Sequence, residues 1–388
     1  MTKIARRLAG APWLSLSMAV AVGVIAASVR DAQAHKAVTS KYDYNKDVYP
    51  LLRDHCGQCH ITGGPAPMTL LTYKDAVSWA EAIRDELSTE RMPPWPLDPE
   101  GPAVRGAHTI SAKDVDTIVT WASGGTPHGD LTVVIPEATF KSAWKLGEPD
   151  LKVAMDTPHT VAPGTLDETL DFTLPTGLTE AKWVKAVDLL PGMPTLVRDA
   201  VVSVENGPVL ALWQPGTDPV AAPTGAAFKL AAGAKLHLQI HYKKHYDAEQ
   251  EATTDKSTIG LYFTDAPASG RELQALSIDG GAATDEPIRR LSANLSGAGR
   301  VVAVRPLLDQ PYESVAVTAD SPSGARVPLL MRHNARPQWF RRYWLETPVE
   351  VAAGSKIEVA ATPLPPNSDE PKTPKRFPLQ VSLDYVAQ

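Results

Sequence analysis

Only two of the 388 residues are cysteine, and aromatic residues make up 6 %. Two cysteines exclude a disulfide-stapled miniprotein and a four-cysteine zinc cage. An excess of basic charge is also missing. The formal net charge is −6, which argues against nucleic-acid binding, where a basic face is the rule. No G-x-S-x-G, P-loop or H-E-x-x-H occurs, so common hydrolase and nucleotide-binding signatures are absent. What is abundant is proline, at 35 residues close to double the usual share. The 43 % hydrophobic content is enough for packed cores and excludes wholesale disorder. The length suggests two or three domains.

The first 34 residues read as a secretory leader. Lys3, Arg6 and Arg7 precede residues 8–29, which carry no charge, and Ala32-Gln33-Ala34 fits an A-x-A cleavage site. An uncleaved anchor is the alternative, because 22 uncharged residues can span a bilayer. Either way the body of the chain is expected to be exported, in the periplasm, with no membrane span after cleavage. The leader holds Lys3, Arg6, Arg7 and Arg30 against Asp31, so its removal would take the net charge from −6 to −9.

Residues 42–128 carry helical signals. Val48, Leu51 and Leu52 recur at helical spacing. Thr72 with Asp75 forms a capping box before the apolar face Ala76, Trp79, Ala80, Ile83 and Leu87, and Met92-Pro93-Pro94 ends that pattern. Ser111 with Asp114 opens a second helix, which Gly124 closes. From about residue 145 the period changes to two. Strands are expected over 170–174, 183–190, 196–204, 235–242, 259–263, 301–305, 314–318, 327–331, 357–361 and 379–385. The concentration of Ala, Ser and Gly over 265–295 reads as a domain boundary.

Cys56-Gly57-Gln58-Cys59-His60 is a C-x-x-C-H, the signature of covalent haem c attachment. Two thiols three positions apart on a turn can reach the two vinyl groups of one porphyrin. The adjacent His60 is then held beneath the iron as proximal ligand. A structural disulfide or redox dithiol is the competing reading. A thioredoxin-like dithiol should follow a strand, whereas this one follows a helix. Methionine opposite histidine suits electron transfer. Met92, 32 residues beyond His60 on a loop stiffened by two prolines, is the expected distal ligand. Met68 is only eight residues away, a short reach to the opposite face. His55, His108 and His128 are further candidates.

On these motifs, residues 45–130 resemble the class I-like cytochrome c domain at the front of many exported bacterial proteins. The matching stretches are Val48-Tyr49-Pro50-Leu51-Leu52, Cys56 to His60, Gly63-Gly64-Pro65-Ala66-Pro67-Met68 and Met92-Pro93-Pro94-Trp95, with Trp121 and Gly124-Gly125-Thr126-Pro127 at the exit. The resemblance implies that Met92 is the axial methionine. Residues 145–388 resemble peptidylglycine α-hydroxylating monooxygenase and dopamine β-hydroxylase, copper- and ascorbate-dependent enzymes. Here the matches include Trp213-Gln214-Pro215-Gly216 and Leu238-Gln239-Ile240-His241-Tyr242. The fold implied is multidomain: a small all-α cytochrome c domain at 42–130, then two all-β jelly-roll-like antiparallel sandwiches at 145–268 and 290–388.

That second family uses two coppers, and most of the ligands it implies are missing. His241 fits one ligand of the first site. The His-His pair should fall near Arg198-Asp199, and the His-x-His of the second site near residues 305–309, which read Arg-Pro-Leu-Leu-Asp. Its methionine should follow Pro365-Pro366-Asn367-Ser368, yet no methionine occurs after Met331. His237 and His241 share a strand face but lie about 13 Å apart, too far to share a metal. His241 therefore stands as a residual copper ligand at most. Arg336, Arg341 and Arg342 with Trp339, Phe340, Tyr343 and Trp344 form an aromatic-basic run, read as a solvated edge strand or a docking surface. The expected function is a periplasmic monohaem electron carrier, not an enzyme, exchanging electrons with redox partner proteins or within a larger complex. The β region would serve docking or scaffolding. A haem-fed copper monooxygenase is the alternative.

Overall fold

The computed structural model describes residues 39–107, 109–280, 287–365 and 376–388. The leader with its cleavage site, His108 and residues 366–368 lie outside them. Among the described residues no helix is long and apolar enough to cross a membrane.

The helices are short. A π-helical turn (Tyr44–Val48) runs into α1 (Tyr49–His55). Next come α2 (Tyr73–Ser78), α3 (Ala80–Ser88) and α4 (Ala112–Ser123). Their ends are where the sequence puts capping residues. Thr72 accepts from the Asp75 backbone N–H, and Ser111 accepts from that of Asp114, so each supplies an acceptor that the first turn lacks. Trp79 breaks the expected single helix into α2 and α3. Tyr44, Leu52, Ile118 and Trp121 are fully buried at the centre of this region.

The rest is β. One four-stranded antiparallel sheet orders β1 (Leu151–Ala154), β10 (Thr258–Thr264), β4 (Lys182–Leu190) and β7 (Phe228–Leu230). A second orders β3 (Asp167–Pro175), β8 (Lys235–Lys243), β5 (Val197–Val204) and β6 (Val209–Trp213). The third orders β11 (Gln274–Asp279), β18 (Gln380–Ala387), β13 (Gly299–Leu307) and β16 (Tyr343–Val351). The fourth orders β12 (Arg289–Asn294), β17 (Lys356–Pro363), β14 (Tyr312–Asp320) and β15 (Arg326–Ala335). A two-stranded ribbon joins β2 (His159–Val161) to β9 (Thr253–Asp255).

These findings correct the expected fold class. Among the described residues the chain is mostly β, with 38 % strand against 13 % helix, and its small four-stranded sheets form a propeller-like set of blades. It is not an all-α domain followed by two jelly-roll sandwiches. The helical region is not self-contained: Trp95 and Val104 belong to the apolar core built by the third and fourth sheets. The β region has two apolar cores, one between the first two sheets and one between the third and fourth. The core lined by the first two sheets also takes Val302, Ala303, Trp344 and Val386 from the third. Period-two alternation identifies a strand but says nothing of which strand it pairs with. The expected boundary over 265–295 contains β11 and β12, which pair with β18 and β17.

Candidate functional site

The C-x-x-C-H lies on the turn that closes α1. Cys56 is the C-cap, its N–H bonded to the Leu52 carbonyl. The N–H groups of Cys59 and His60 both donate to the Cys56 carbonyl, at 3.1 and 2.9 Å. Gly57 permits this tight return, because a Cβ there would sit 2.5 Å from the Arg53 carbonyl oxygen. Both cysteines are free thiols. Burial, then the neighbouring Cys59, pushes the Cys56 thiol up to about 12; burial raises Cys59 to about 11 against the pull of Arg198 and Lys145. Reactive redox cysteines show the opposite displacement. These thiols are held protonated rather than poised as a redox pair.

His60 is oriented from behind. Its Nδ1 lies 3.2 Å from the Met68 carbonyl oxygen, which accepts from Nδ1–H in that tautomer. The Leu70 N–H donates to the His60 carbonyl at 3.0 Å and anchors the same loop. Burial draws the His60 pKa down, favouring the neutral imidazole that ligates metals. Nε2 has no hydrogen-bond partner among the described residues. Two free thiols on one turn and a neutral imidazole with Nε2 available are the donor set that haem c requires, so the residues fit that group.

The candidates for the second axial position separate by environment. Met68 packs on the helical core, and its carbonyl already sits behind the His60 ring. Met92 is partly exposed and belongs to none of the apolar cores, so its thioether is not used in packing. It directly follows Arg91, which is ion-paired to Glu86 at 2.9 Å. His55 Nε2 faces Asp114 at 3.9 Å, and the His128 ring packs edge-on against Tyr73.

The β region closes on this turn. Gly216, on the loop after β6, has a φ of +79°, and a Cβ there would lie 2.6 Å from Cys59 Sγ. Two residues earlier, Gln214 accepts from Trp95 Nε1 at 3.3 Å and donates to the Gln338 carbonyl at 2.6 Å. A cavity of about 60 Å³ lies beside this contact, lined by Gln58 and Pro215 among others.

At the expected first copper site the named residues do meet, as an ion cluster. Asp199 on β5 stands directly across from His241 on β8. His241 Nδ1 lies 2.9 Å from Asp199 and Nε2 2.9 Å from Asp167, so carboxylates occupy both nitrogens. Arg376 pairs with the other oxygen of Asp199. His237 faces Asp171 at 3.1 Å, and His333 faces Glu90 at 3.1 Å. At the expected second site, buried Arg305 pairs with Asp384 at 2.9 Å. Among the described residues no group of three or more His, Cys, Asp or Glu side chains is arranged to hold a metal ion.

The aromatic-basic run is neither a docking surface nor a solvated edge: Arg336, Arg341 and Arg342 are all buried. Arg342 bonds Asp384 at 2.8 Å and the Val209 carbonyl at 2.6 Å, and lies between the rings of Phe228 and Trp344. Burial outweighs its pairing with Asp384 and takes its pKa to about 10. Sequence reasoning missed these arginines because an isolated Arg reads as surface. The available signal was their density among aromatics.

No family model matches the chain, and no curated protein matches it. Among solved structures, a Paenibacillus xanthan lyase is similar over 62 % of this chain at 12 % identity, with a TM-score of 0.18. The chain spans only 26 % of that protein's length. An allantoicase is similar over 56 % of this chain and 77 % of its own, at 9 % identity and a TM-score of 0.20. These scores are too low to carry an argument about fold or function.

Proposed function

We propose that this chain is an exported, monohaem c-type electron-transfer protein. The observation that carries the reading is the C-x-x-C-H turn itself, with both thiols free and His60 held by the Met68 carbonyl so that Nε2 is available. Cys56 and Cys59 would anchor the group covalently, His60 would be its proximal ligand and Met92 its distal one. Haem iron, when bound, supplies a one-electron ferric–ferrous couple. The chain's own residues orient the imidazole, keep both thiols protonated until attachment, and seat the Trp213–Thr217 loop against Cys59. The β region serves as scaffold, and redox proteins outside the cytoplasm are the partners. Carboxylates on both nitrogens of His241 weigh against the copper-monooxygenase alternative.

The test is expression with the haem-maturation machinery. One haem per chain, retained after denaturation and absent from a Cys56→Ala/Cys59→Ala variant, is the expected result. Copper below one equivalent on the same sample is expected too. A chain that releases its haem on denaturation would overturn the reading.

A further inference from the structure

Met92 lies between two points at which the helical region is fastened to the β sheets. Before it, α3 runs out into Thr89 and Glu90. The Thr89 carbonyl accepts from Asn334 Nδ2 on β15 at 2.6 Å. Glu90 faces His333, one residue earlier on the same strand, at 3.1 Å. After it, Trp95 Nε1 donates to the Gln214 side chain at 3.3 Å, and Gln214 is itself fixed by donating to the Gln338 carbonyl at 2.6 Å. The Trp95 ring stands edge-on to Trp339 with centroids 5.7 Å apart, and the Arg341 guanidinium lies 5.4 Å from it. Three residues on, the Asp98 N–H donates to the Met331 carbonyl of β15 at 3.0 Å.

The backbone at the same two points is strained. Among the described residues five non-glycine residues have a positive φ, and three of them meet here: Glu90 at +53°, Trp95 at +67° and Asn334 at +48°. Asparagine tolerates this conformation, but for Glu and Trp it persists only where the surroundings over-determine it. The surroundings are β15 and the loop after β6. The helical region adds local bonds on one side only: the Arg91 and Met92 N–H groups both donate to the Glu86 carbonyl, at 2.9 and 3.3 Å. The Met92 side chain itself joins no apolar core, so packing of its own does not hold it. We propose that Asn334 and Gln214 are positioning residues for Met92, acting through Thr89 and Trp95 to hold the loop that presents its thioether. The β region then governs whether the second axial position stays closed, and is more than a support. This inference rests on the haem c reading above. Releasing either anchor lets the strained loop relax and frees the thioether to leave.

The experiment uses the haem-loaded full chain, with haem content measured first. Two readouts follow the thioether. One is the sulfur–iron charge-transfer band of the oxidised protein on heating, compared with the loss of far-ultraviolet circular dichroism. The other is the rate at which the reduced protein binds carbon monoxide, which needs the second axial position vacated. Asn334→Gly removes the amide and keeps the left-handed backbone. It should bind carbon monoxide about 2–10-fold faster than the native protein, the factor that one lost hydrogen bond is worth. Its band should also vanish further below its own unfolding temperature than the native band does. Trp95→Phe, which removes the indole donor and keeps an aromatic ring, should act in the same direction, and covers the case in which Asn334→Gly fails to load haem. Asn206→Gly, at a left-handed residue on the β5–β6 turn, is the control and should match the native protein. Native carbon monoxide rates in both anchor variants, or equal acceleration in Asn206→Gly, would overturn the proposal and leave the haem c reading standing. A charge-transfer band unchanged in Met92→Ala would instead take Met92 off the iron and remove the reading beneath the proposal.

Discussion

The contact between Gly216 and Cys59 makes the seam measurable. Gly216→Ala incurs two separate costs. A left-handed φ of +79° is unfavourable for alanine by about 1–2 kcal/mol. The new Cβ would also lie 2.6 Å from Cys59 Sγ, about 1 Å inside ordinary carbon–sulfur contact, and overpacking of that size costs about 1–3 kcal/mol. Gly177 supplies the control. Its φ is +69°, but a Cβ there meets nothing within 4 Å, so Gly177→Ala carries only the backbone cost. Denaturant titration of the haem-loaded protein should therefore show Gly216→Ala less stable than Gly177→Ala by about 1–3 kcal/mol. The gap should widen with haem attached, because a thioether cannot rotate away as a free thiol can. Equal losses at the two glycines, with and without haem, would refute the seam as described.

Three other outcomes are expected. Met92→Ala should abolish the sulfur–iron charge-transfer band of the oxidised protein while leaving haem content intact; an unchanged band excludes Met92 as ligand. Asp384→Leu leaves Arg305 and Arg342 buried without their carboxylate and should cost about 3–5 kcal/mol in thermal or denaturant unfolding, and a loss under 1 kcal/mol would contradict the ion cluster. Asp188 has its pKa raised to about 6, chiefly by burial. A carboxylate raised in the folded state favours folding only while protonated, so the native protein should lose about 3 kcal/mol between roughly pH 4 and pH 6 through this group. Asp188→Asn should flatten that fall and be the more stable form at pH 7, whereas a variant whose pH profile parallels the native one would sink the assignment.

Local structure was legible where its causes are local. Thr72 and Ser111 cap helices because a side-chain oxygen three residues before an orphan N–H needs no distant partner. Alternation over residues 170–174 and 235–242 marked β3 and β8, since a half-buried pleat imposes period two. The break at Trp79 and the strands within 265–295 were not legible. Both depend on what packs alongside.

The sequence by itself determined the C-x-x-C-H turn, the capped helices and most of the strands. Only the tertiary structure decided how these were used. It stitched residues 95–105 onto the third and fourth sheets. Asp199 was set against His241, making an ion cluster between two strands. Three arginines that read as surface, Arg336, Arg341 and Arg342, were enclosed, Arg341 and Arg342 beside aromatic rings and Arg342 against Asp384. The physical reason is the same in each case. What surrounds a buried charge is set by which distant parts of the chain pack around it, and no local pattern encodes that meeting.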